Sequence, residues 1–168
     1  MRVIVSGGGT GGHIYPAIAM CQKLEEEIDD LEILYVGLND GPEKRIVNKY
    51  GYKFRSIEAM GLPRKISKRL FKSLLTNLKG FKEAKKIIKE FKPDLVIGTG
   101  GYVCAPILYQ ASKKNVKTLI HESNSFPGVT TRFLSNKVDL VCISFEEAKK
   151  HLKNKNNVYV TGNPVRTN

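Results

Sequence analysis

The sequence predicts an α/β fold built on a doubly wound, mostly parallel sheet. Two observations carry this prediction. Short apolar runs and helical patterns alternate about seven times along the 168 residues. A glycine-rich segment, residues 6–13, joins the first apolar run to the first helical pattern, as in a turn from a strand's carboxyl end to a helix. The length fits one domain, or one domain followed by the beginning of a linker.

Each predicted strand and helix rests on a local sequence pattern. Strands are predicted from short apolar or alternating runs, at residues 1–5, 31–37, 52–57, 95–98, 116–120, 138–143 and 158–160. Helices are predicted from apolar residues at helical spacing or from flanking Gly and Pro, at residues 14–28, 42–50, 66–91, 103–113, 127–134 and 145–152. Gly80 is a candidate break in the longest helix.

The glycine-rich turn has three interpretations. A helix amino end offers unpaired N–H groups and a partial positive charge, and glycines allow close approach, so the turn suits an anion. A P-loop is excluded because His13 follows the last glycine where Lys-Ser or Lys-Thr is required. Gly7-x-Gly9-x-x-Gly12 fits a dinucleotide site, but Asn39 stands where that site needs an acidic residue. The third interpretation is a tight turn without a ligand.

Composition narrows the class of protein. Three scattered cysteines indicate reduced core residues, and the three histidines lack ligand spacing, so no disulfide and no metal are expected. No leader and no membrane-spanning stretch are expected.

The net charge is +12, and residues 64–92 hold eleven Lys and Arg against two Glu. This basic helix also has an apolar stripe, which favours contact with an anionic membrane over a solvated helix packed on the core. The predicted contact residues are Lys68, Arg69, Phe71, Lys72 and Leu75. Nucleic acid is not expected because no recognition module is visible.

Three polar or glycine-rich segments follow predicted strands, at residues 6–13, 98–102 and 121–124. In a parallel sheet these strand ends meet at one edge, where ligands bind. His13 is a candidate general base or a ligand-binding residue. Asn124 suits sugar hydroxyls, and Glu122 either contacts a ligand or a histidine or secures its loop. Tyr102 is either a ligand contact or a packing residue.

Four motifs together resemble one family. They are residues 6–17, Gly100-Gly101-Tyr102, His121-Glu122-x-Asn124 and residues 162–166, in this order over nearly the whole chain. They are similar to motifs of the MurG family of glycosyltransferases, which have a GT-B fold of two Rossmann-like domains. The resemblance implies an acceptor-binding amino-terminal domain at residues 1–162 and the start of an interdomain linker at 163–168. The carboxy-terminal nucleotide-sugar domain is absent, so the chain alone is expected to be inactive.

The resemblance also implies a reaction. N-acetylglucosamine would pass with inversion from UDP-GlcNAc to the 4-hydroxyl of lipid I, making lipid II for peptidoglycan, at the cytoplasmic face of the bacterial membrane. His13 would be the base. The implied UDP-GlcNAc contacts are Thr10, Gly11, Gly12, Asn124 and Arg166, and the implied contacts to the acceptor diphosphate are Gly9, Gly100, Gly101, Tyr102 and Glu122. No cofactor is implied. Ser123 departs from the family's usual His-Glu-Gln-Asn. The alternatives are a dinucleotide-binding module and a structural module that binds membranes.

Overall fold

The computed structural model describes residues 1–63 and 65–166. Its centre is one seven-stranded sheet in the order β3-β2-β1-β4-β5-β6-β7, with every neighbouring pair parallel. The strands are β1 (Arg2–Ser6), β2 (Glu32–Leu38), β3 (Lys53–Ile57), β4 (Leu95–Gly98), β5 (Lys117–Glu122), β6 (Leu140–Ile143) and β7 (Val158–Val160). The predicted fold class is confirmed.

Helices cover both faces of the sheet. They are α1 (Gly11–Glu27), α2 (Pro42–Lys49), α3 (Lys68–Phe91), α4 (Cys104–Ser112), α5 (Val129–Leu134) and a 3₁₀ helix, α6 (Glu146–His151). Alternate residues of β1 enter two different cores, because both faces of a parallel sheet are buried. Val3 and Val5 pack with α1 and α2, whereas Ile4 packs in the core that includes α3, α4 and α5.

The strand order reverses between β1 and β4, since β2 and β3 extend to one side and β5, β6 and β7 to the other. Such a switch point leaves a crevice at the carboxyl ends of the two central strands. The first glycine turn follows β1 and the second follows β4. The topology therefore brings both predicted turns to the same crevice.

The structure differs from the predicted boundaries at several places. The helix α3 is continuous through Gly80. A Cβ there would overlap the carbonyl oxygen of Glu58, so this glycine allows the preceding loop to pack closely on the helix. The helix α1 begins at Gly11, α5 begins at Val129 rather than Pro127, and β5 extends through Glu122. His121 and Glu122 are therefore strand residues with fixed backbones.

Candidate functional site

The two glycine turns pack against each other through their backbones. The Gly8 N–H donates to the Gly100 carbonyl at 3.4 Å, and the Thr99 N–H donates to the Ser6 carbonyl at 2.9 Å. Gly101 has φ of +83°, and a Cβ on it would overlap the Gly8 carbonyl. Only glycine fits this position, because it tolerates both the positive φ and the close approach.

His13 lies in the first turn of α1 and is held at three points. Its Nδ1 is 3.1 Å from the Gly8 carbonyl oxygen and 3.4 Å from the Thr10 hydroxyl oxygen. Its own carbonyl accepts a hydrogen bond from the buried Thr99 hydroxyl at 2.6 Å. A Cβ on Gly100 would lie 2.6 Å from Cδ2 and 2.9 Å from Nε2 of the imidazole, so the ring packs directly on this glycine.

These contacts select one tautomer of the neutral imidazole. A carbonyl oxygen only accepts hydrogen bonds, so Nδ1 carries the proton that bonds Gly8. The other nitrogen, Nε2, then has the free lone pair. With Nδ1 as the donor, Nε2 can accept a proton, as a general base must.

Glu43 is a site residue that sequence reasoning missed. It is the second residue of α2 and is fully buried. One carboxylate oxygen accepts from the Leu38 N–H at 2.7 Å, and the other accepts from the Gly9 N–H at 3.3 Å. Glu43 therefore ties α2 to the first glycine turn. A Cβ on Gly37 would lie 2.5 Å from the Glu43 side chain, so the glycine there leaves room for that side chain.

This contact changes the expectation for Gly9. A phosphate bound at Gly9 would need its N–H, which is already directed at the Glu43 carboxylate. The carboxylate also places negative charge behind the turn, which repels an anion at that point. The Gly9 N–H is therefore less free for the diphosphate contact that the resemblance implies, and that contact stays a prediction. The same contact opposes the dinucleotide alternative, which uses the turn's N–H groups for a pyrophosphate.

Glu122 is 4% exposed and secures its own loop. Its Oε1 accepts from the backbone and side-chain nitrogens of Asn124 at 3.0 and 2.8 Å. Its Oε2 accepts from the Gly128 N–H at 2.9 Å and from the Thr131 hydroxyl at 2.7 Å. Of the two roles predicted for Glu122, these bonds favour the loop-securing role over direct contact with a diphosphate. Asn124 is exposed and held in one orientation.

His121 connects the sheet to residues 162–166. Its Nε2 donates to the Gly162 carbonyl at 2.9 Å, and the Ser144 hydroxyl beside it donates to Asn163 Oδ1 at 2.8 Å. Burial lowers the pKa of His121, because the low-dielectric surroundings disfavour the charged ring. The bond to Gly162 and the negative charge of Glu122 oppose this shift. His121 therefore attaches the segment after β7 to strand β5 as a neutral ring.

Residues 163–166 of that segment help to line a cleft of about 560 Å³. The cleft is lined by Gly11, Gly12, Tyr15, Pro16, Ser123, Asn163, Pro164, Val165 and Arg166. The Arg166 guanidinium stacks 4.5 Å from the Tyr15 ring centroid and donates to the Tyr50 hydroxyl at 2.9 Å. Three predicted nucleotide-sugar contacts, Gly11, Gly12 and Arg166, thus meet at one cleft. Residues 167 and 168 of the predicted linker lie outside the described residues.

Tyr102 lies between the second glycine turn and the loop after β3. Its ring is 40% exposed, and it lies 3.7 Å from the position that a Cβ on Gly61 would occupy. Asn77 of α3 fixes that loop by bonding both the N–H and the carbonyl of Met60, at 3.0 and 2.9 Å. An exposed ring at this place can contact a ligand.

The first half of α3 presents an exposed apolar and basic face. Phe71 is 67% exposed and Leu75 is 54% exposed, beside the exposed side chains of Lys68, Arg69 and Lys72. The helix is capped by Ser67, whose hydroxyl accepts from the Leu70 N–H at 3.4 Å. All five predicted membrane-contact residues are therefore exposed. Arg64, counted in the basic segment, lies outside the described residues.

The expectations for metal binding and for the cysteines can be compared with the structure. Within residues 1–63 and 65–166, no three His, Cys, Asp or Glu side chains are grouped so that they could hold a metal ion. Burial raises the pKa of Cys104 to about 11 and that of Cys21 to about 12, so both thiols are protonated core groups. Across the part of the chain that the structure describes, no helix has the length and hydropathy needed to cross a membrane.

A doubly wound sheet with two glycine turns at its switch point defines a Rossmann-like ligand-binding domain. The family model described as "Glycosyltransferase family 28 N-terminal domain" matches residues 3–143. The chain belongs to that family.

Two similar proteins with known names carry the same name. The chain is 54% identical over 167 residues to the UDP-N-acetylglucosamine–N-acetylmuramyl-(pentapeptide) pyrophosphoryl-undecaprenol N-acetylglucosamine transferase of Alkaliphilus oremlandii, covering 99% of this chain and 46% of the relative. It is 50% identical over 164 residues to the Bacillus subtilis protein of the same name, covering 98% of this chain and 45% of the relative. The chain thus spans under half the length of these relatives.

Two solved structures have folds similar to that of this chain. A crystal structure of Acinetobacter baumannii MurG matches with a TM-score of 0.81 and 26% identity, covering 99% of this chain and 46% of that one. A complex of S. aureus MnaA with UDP matches with a TM-score of 0.70 and 19% identity, covering 97% of this chain and 45% of that one. The second likeness shows the fold alone. The resemblance to the MurG family is confirmed.

Proposed function

We propose that this chain is the acceptor-binding, amino-terminal domain of a transferase that moves N-acetylglucosamine from UDP-GlcNAc to the 4-hydroxyl of lipid I. The observation that carries the proposal is the identity of about 50% or more, over nearly the whole chain, to transferases whose printed name states this reaction. Residues 1–162 form the domain and residues 163–168 begin the linker. A second domain of the full-length protein would hold most of the nucleotide.

The geometry supports a simple displacement. The acceptor's 4-hydroxyl oxygen forms a bond to the anomeric carbon of N-acetylglucosamine, and its proton passes to Nε2 of His13. The bond from that carbon to UDP breaks on the opposite face, and its electron pair leaves on the diphosphate. The free lone pair of Nε2, set by the bond from Nδ1 to Gly8, suits this role. The N-terminus of α1 can stabilise the developing negative charge.

The site residues divide between the two substrates. Gly11, Gly12 and Arg166 line the cleft and are proposed, with Thr10 and Asn124, to contact UDP-GlcNAc. Gly100, Gly101 and Tyr102 are proposed to face the acceptor's diphosphate, at the turn beside His13. Glu122 is proposed to act on this site through Asn124, which it holds with two hydrogen bonds.

We also propose that the exposed face of α3 rests on an anionic membrane surface, at the cytoplasmic face of the bacterial cell membrane. Its apolar side chains would enter the boundary between headgroups and acyl chains, and its basic residues would attract anionic lipids. The protein would be peripheral. This placement would keep the lipid-linked acceptor next to the crevice.

The test uses the full-length, two-domain protein with radiolabelled UDP-GlcNAc and a lipid I analogue. We expect labelled lipid II from the full-length protein and negligible product from residues 1–168 alone. Titration with NAD and NADP tests the dinucleotide alternative, and no micromolar binding is expected. Micromolar dinucleotide binding without sugar transfer would contradict the proposal. Robust transfer by residues 1–168 alone would contradict the assignment of this chain as half of the site.

A further inference from the structure

One peptide unit of the first glycine turn is hydrogen-bonded on both sides. Its carbonyl, from Gly8, accepts from Nδ1 of His13 at 3.1 Å. Its N–H, from Gly9, donates to Oε2 of Glu43 at 3.3 Å. Because these two groups belong to the same planar amide, a single peptide bond connects the Glu43 carboxylate to the His13 imidazole.

The Glu43 side chain is built into this position. It is fully buried, and its second oxygen accepts from the Leu38 N–H at 2.7 Å. A Cβ on Gly8 would lie 2.5 Å from the carboxylate, so glycine there makes the approach possible. Both oxygens receive an N–H, which requires a side chain with two acceptors. Glu43 is the second residue of α2 and lies in the first turn of the helix.

We propose that Glu43 is a positioning residue for His13, acting through the Gly8–Gly9 peptide. The carboxylate fixes the plane of the peptide and polarises it, since hydrogen bonds in a chain strengthen one another. The Gly8 oxygen then holds the Nδ1 proton of His13 and leaves Nε2 free to accept. The same polarised oxygen stabilises the imidazolium that forms after proton transfer, as a carboxylate bonded directly to a histidine does. The inference rests on the proposed function of His13 as the base.

The first test measures the tautomer of His13 in the protein with Glu43 unchanged. In the full-length protein with ¹⁵N-labelled histidine, the His13 resonance is assigned by its absence from His13→Gln. We expect the neutral ring to be the Nδ1–H tautomer. Finding the Nε2–H tautomer would overturn the proposal, whatever the activity of the protein.

The second test removes one of the two acceptors with Glu43→Gln. We expect a mixture of His13 tautomers and a fall in kcat of roughly 10- to 100-fold, the range found when groups that orient metal-binding histidines are removed. KM for both substrates should change little, because Glu43 contacts neither. Asp139→Asn is the matched control: Asp139 also accepts a backbone N–H, from Thr118 at 2.7 Å, but at the opposite edge of the sheet. It should leave both the tautomer and kcat unchanged.

The outcomes separate this inference from the proposed function. An unchanged tautomer and an unchanged kcat in folded Glu43→Gln would overturn the link through the peptide. Full transfer activity in His13→Gln would instead overturn the role of His13 as the base, and the tautomer measurement would still test the link.

Discussion

The carboxyl edge of the sheet and the first half of α3 both carry residues predicted to meet ligands, but they are built in opposite ways. At the sheet edge, the polar atoms of His13, His121 and Glu122 are bonded to buried or backbone partners. On α3, the cationic groups of Lys68, Arg69 and Lys72 form no ion pair with any residue that the structure describes. One region is a fixed arrangement of atoms, and the other is an open surface.

The two regions would therefore work in different ways. A site that transfers a proton depends on the position of single atoms, so one substitution should cost much activity. A membrane-facing surface depends on total charge and apolar area, so effects should accumulate over several residues.

Replacing His13 with Gln should give the largest loss. We expect kcat of the full-length protein to fall about 10²- to 10⁴-fold, the usual contribution of a general base. Stability should change little, because Gln can still donate to the Gly8 carbonyl. Transfer kinetics and thermal unfolding measure both quantities. The control is His151→Gln, at the end of α6 and outside the crevice. Equal kcat values for the two variants would contradict the single-atom interpretation of the sheet edge.

Reversing three charges on α3 should give the next effect. Each basic residue near an anionic membrane contributes about 1 kcal/mol, so Lys68→Glu, Arg69→Glu and Lys72→Glu together should weaken vesicle binding at least 100-fold. Phe71→Ala or Leu75→Ala alone should weaken it only a few-fold. Co-sedimentation with vesicles containing anionic lipid measures this.

The matched control for charge reversal is Lys150→Glu with Lys153→Glu and Lys155→Glu, between β6 and β7, at the far edge of the sheet from β3. Kinetics with a water-soluble acceptor should be unaffected by the α3 reversal. Vesicle binding that is unchanged after the α3 reversal would remove α3 from the membrane proposal.

Gly101→Ala should act on the sheet edge through the backbone. A residue other than glycine at a φ of +83° is strained by about 1–3 kcal/mol, and here the new methyl group would also overlap the Gly8 carbonyl. Gly51→Ala is the matched control, since Gly51 has a φ of +80° and nothing within 4 Å of a Cβ. Denaturant unfolding should show the larger loss at position 101. Equal losses would mean that the two glycine turns can separate without cost.

Most of the fold could be predicted from the sequence. Each predicted strand overlaps an observed one, because a parallel strand buried on both faces leaves an apolar run that is visible without knowledge of its neighbours. The convergence of the two glycine turns followed from this topology. The break expected at Gly80 was wrong because that glycine serves a contact with Glu58, which is distant in sequence.

The candidate site could be predicted only in part. His13 and Asn124 belong to motifs, whereas Glu43 belongs to a short polar helix that looks exposed in sequence. Its burial depends on a glycine turn more than thirty residues earlier, which no local pattern reveals. The role of Glu122 was open for the same reason, since its partners Gly128 and Thr131 follow in a different element.

The smallest predicted effect is a change in stability with pH. It comes from the buried ring of His121 at the sheet edge. Burial lowers the pKa of the folded-state ring, so the unfolded chain takes up a proton first as the pH falls. The stability contributed by neutral His121 is therefore complete above about pH 6.5, the ordinary histidine value, and is lost as the pH falls through the folded-state pKa. The loss should be on the order of 1 kcal/mol for each unit that separates the two values.

Thermal unfolding between pH 7.5 and pH 5.5 measures this effect. His121→Gln has no titrating ring but can still donate to the Gly162 carbonyl, so its unfolding temperature should fall less over that range than that of the unmodified protein. His151→Gln should retain the full fall. The α3 charge reversals lie on a different element from His121 and should not change the slope. If His121→Gln kept the full pH dependence, the link between the buried sheet edge and the segment after β7 would not be the source of the acid sensitivity.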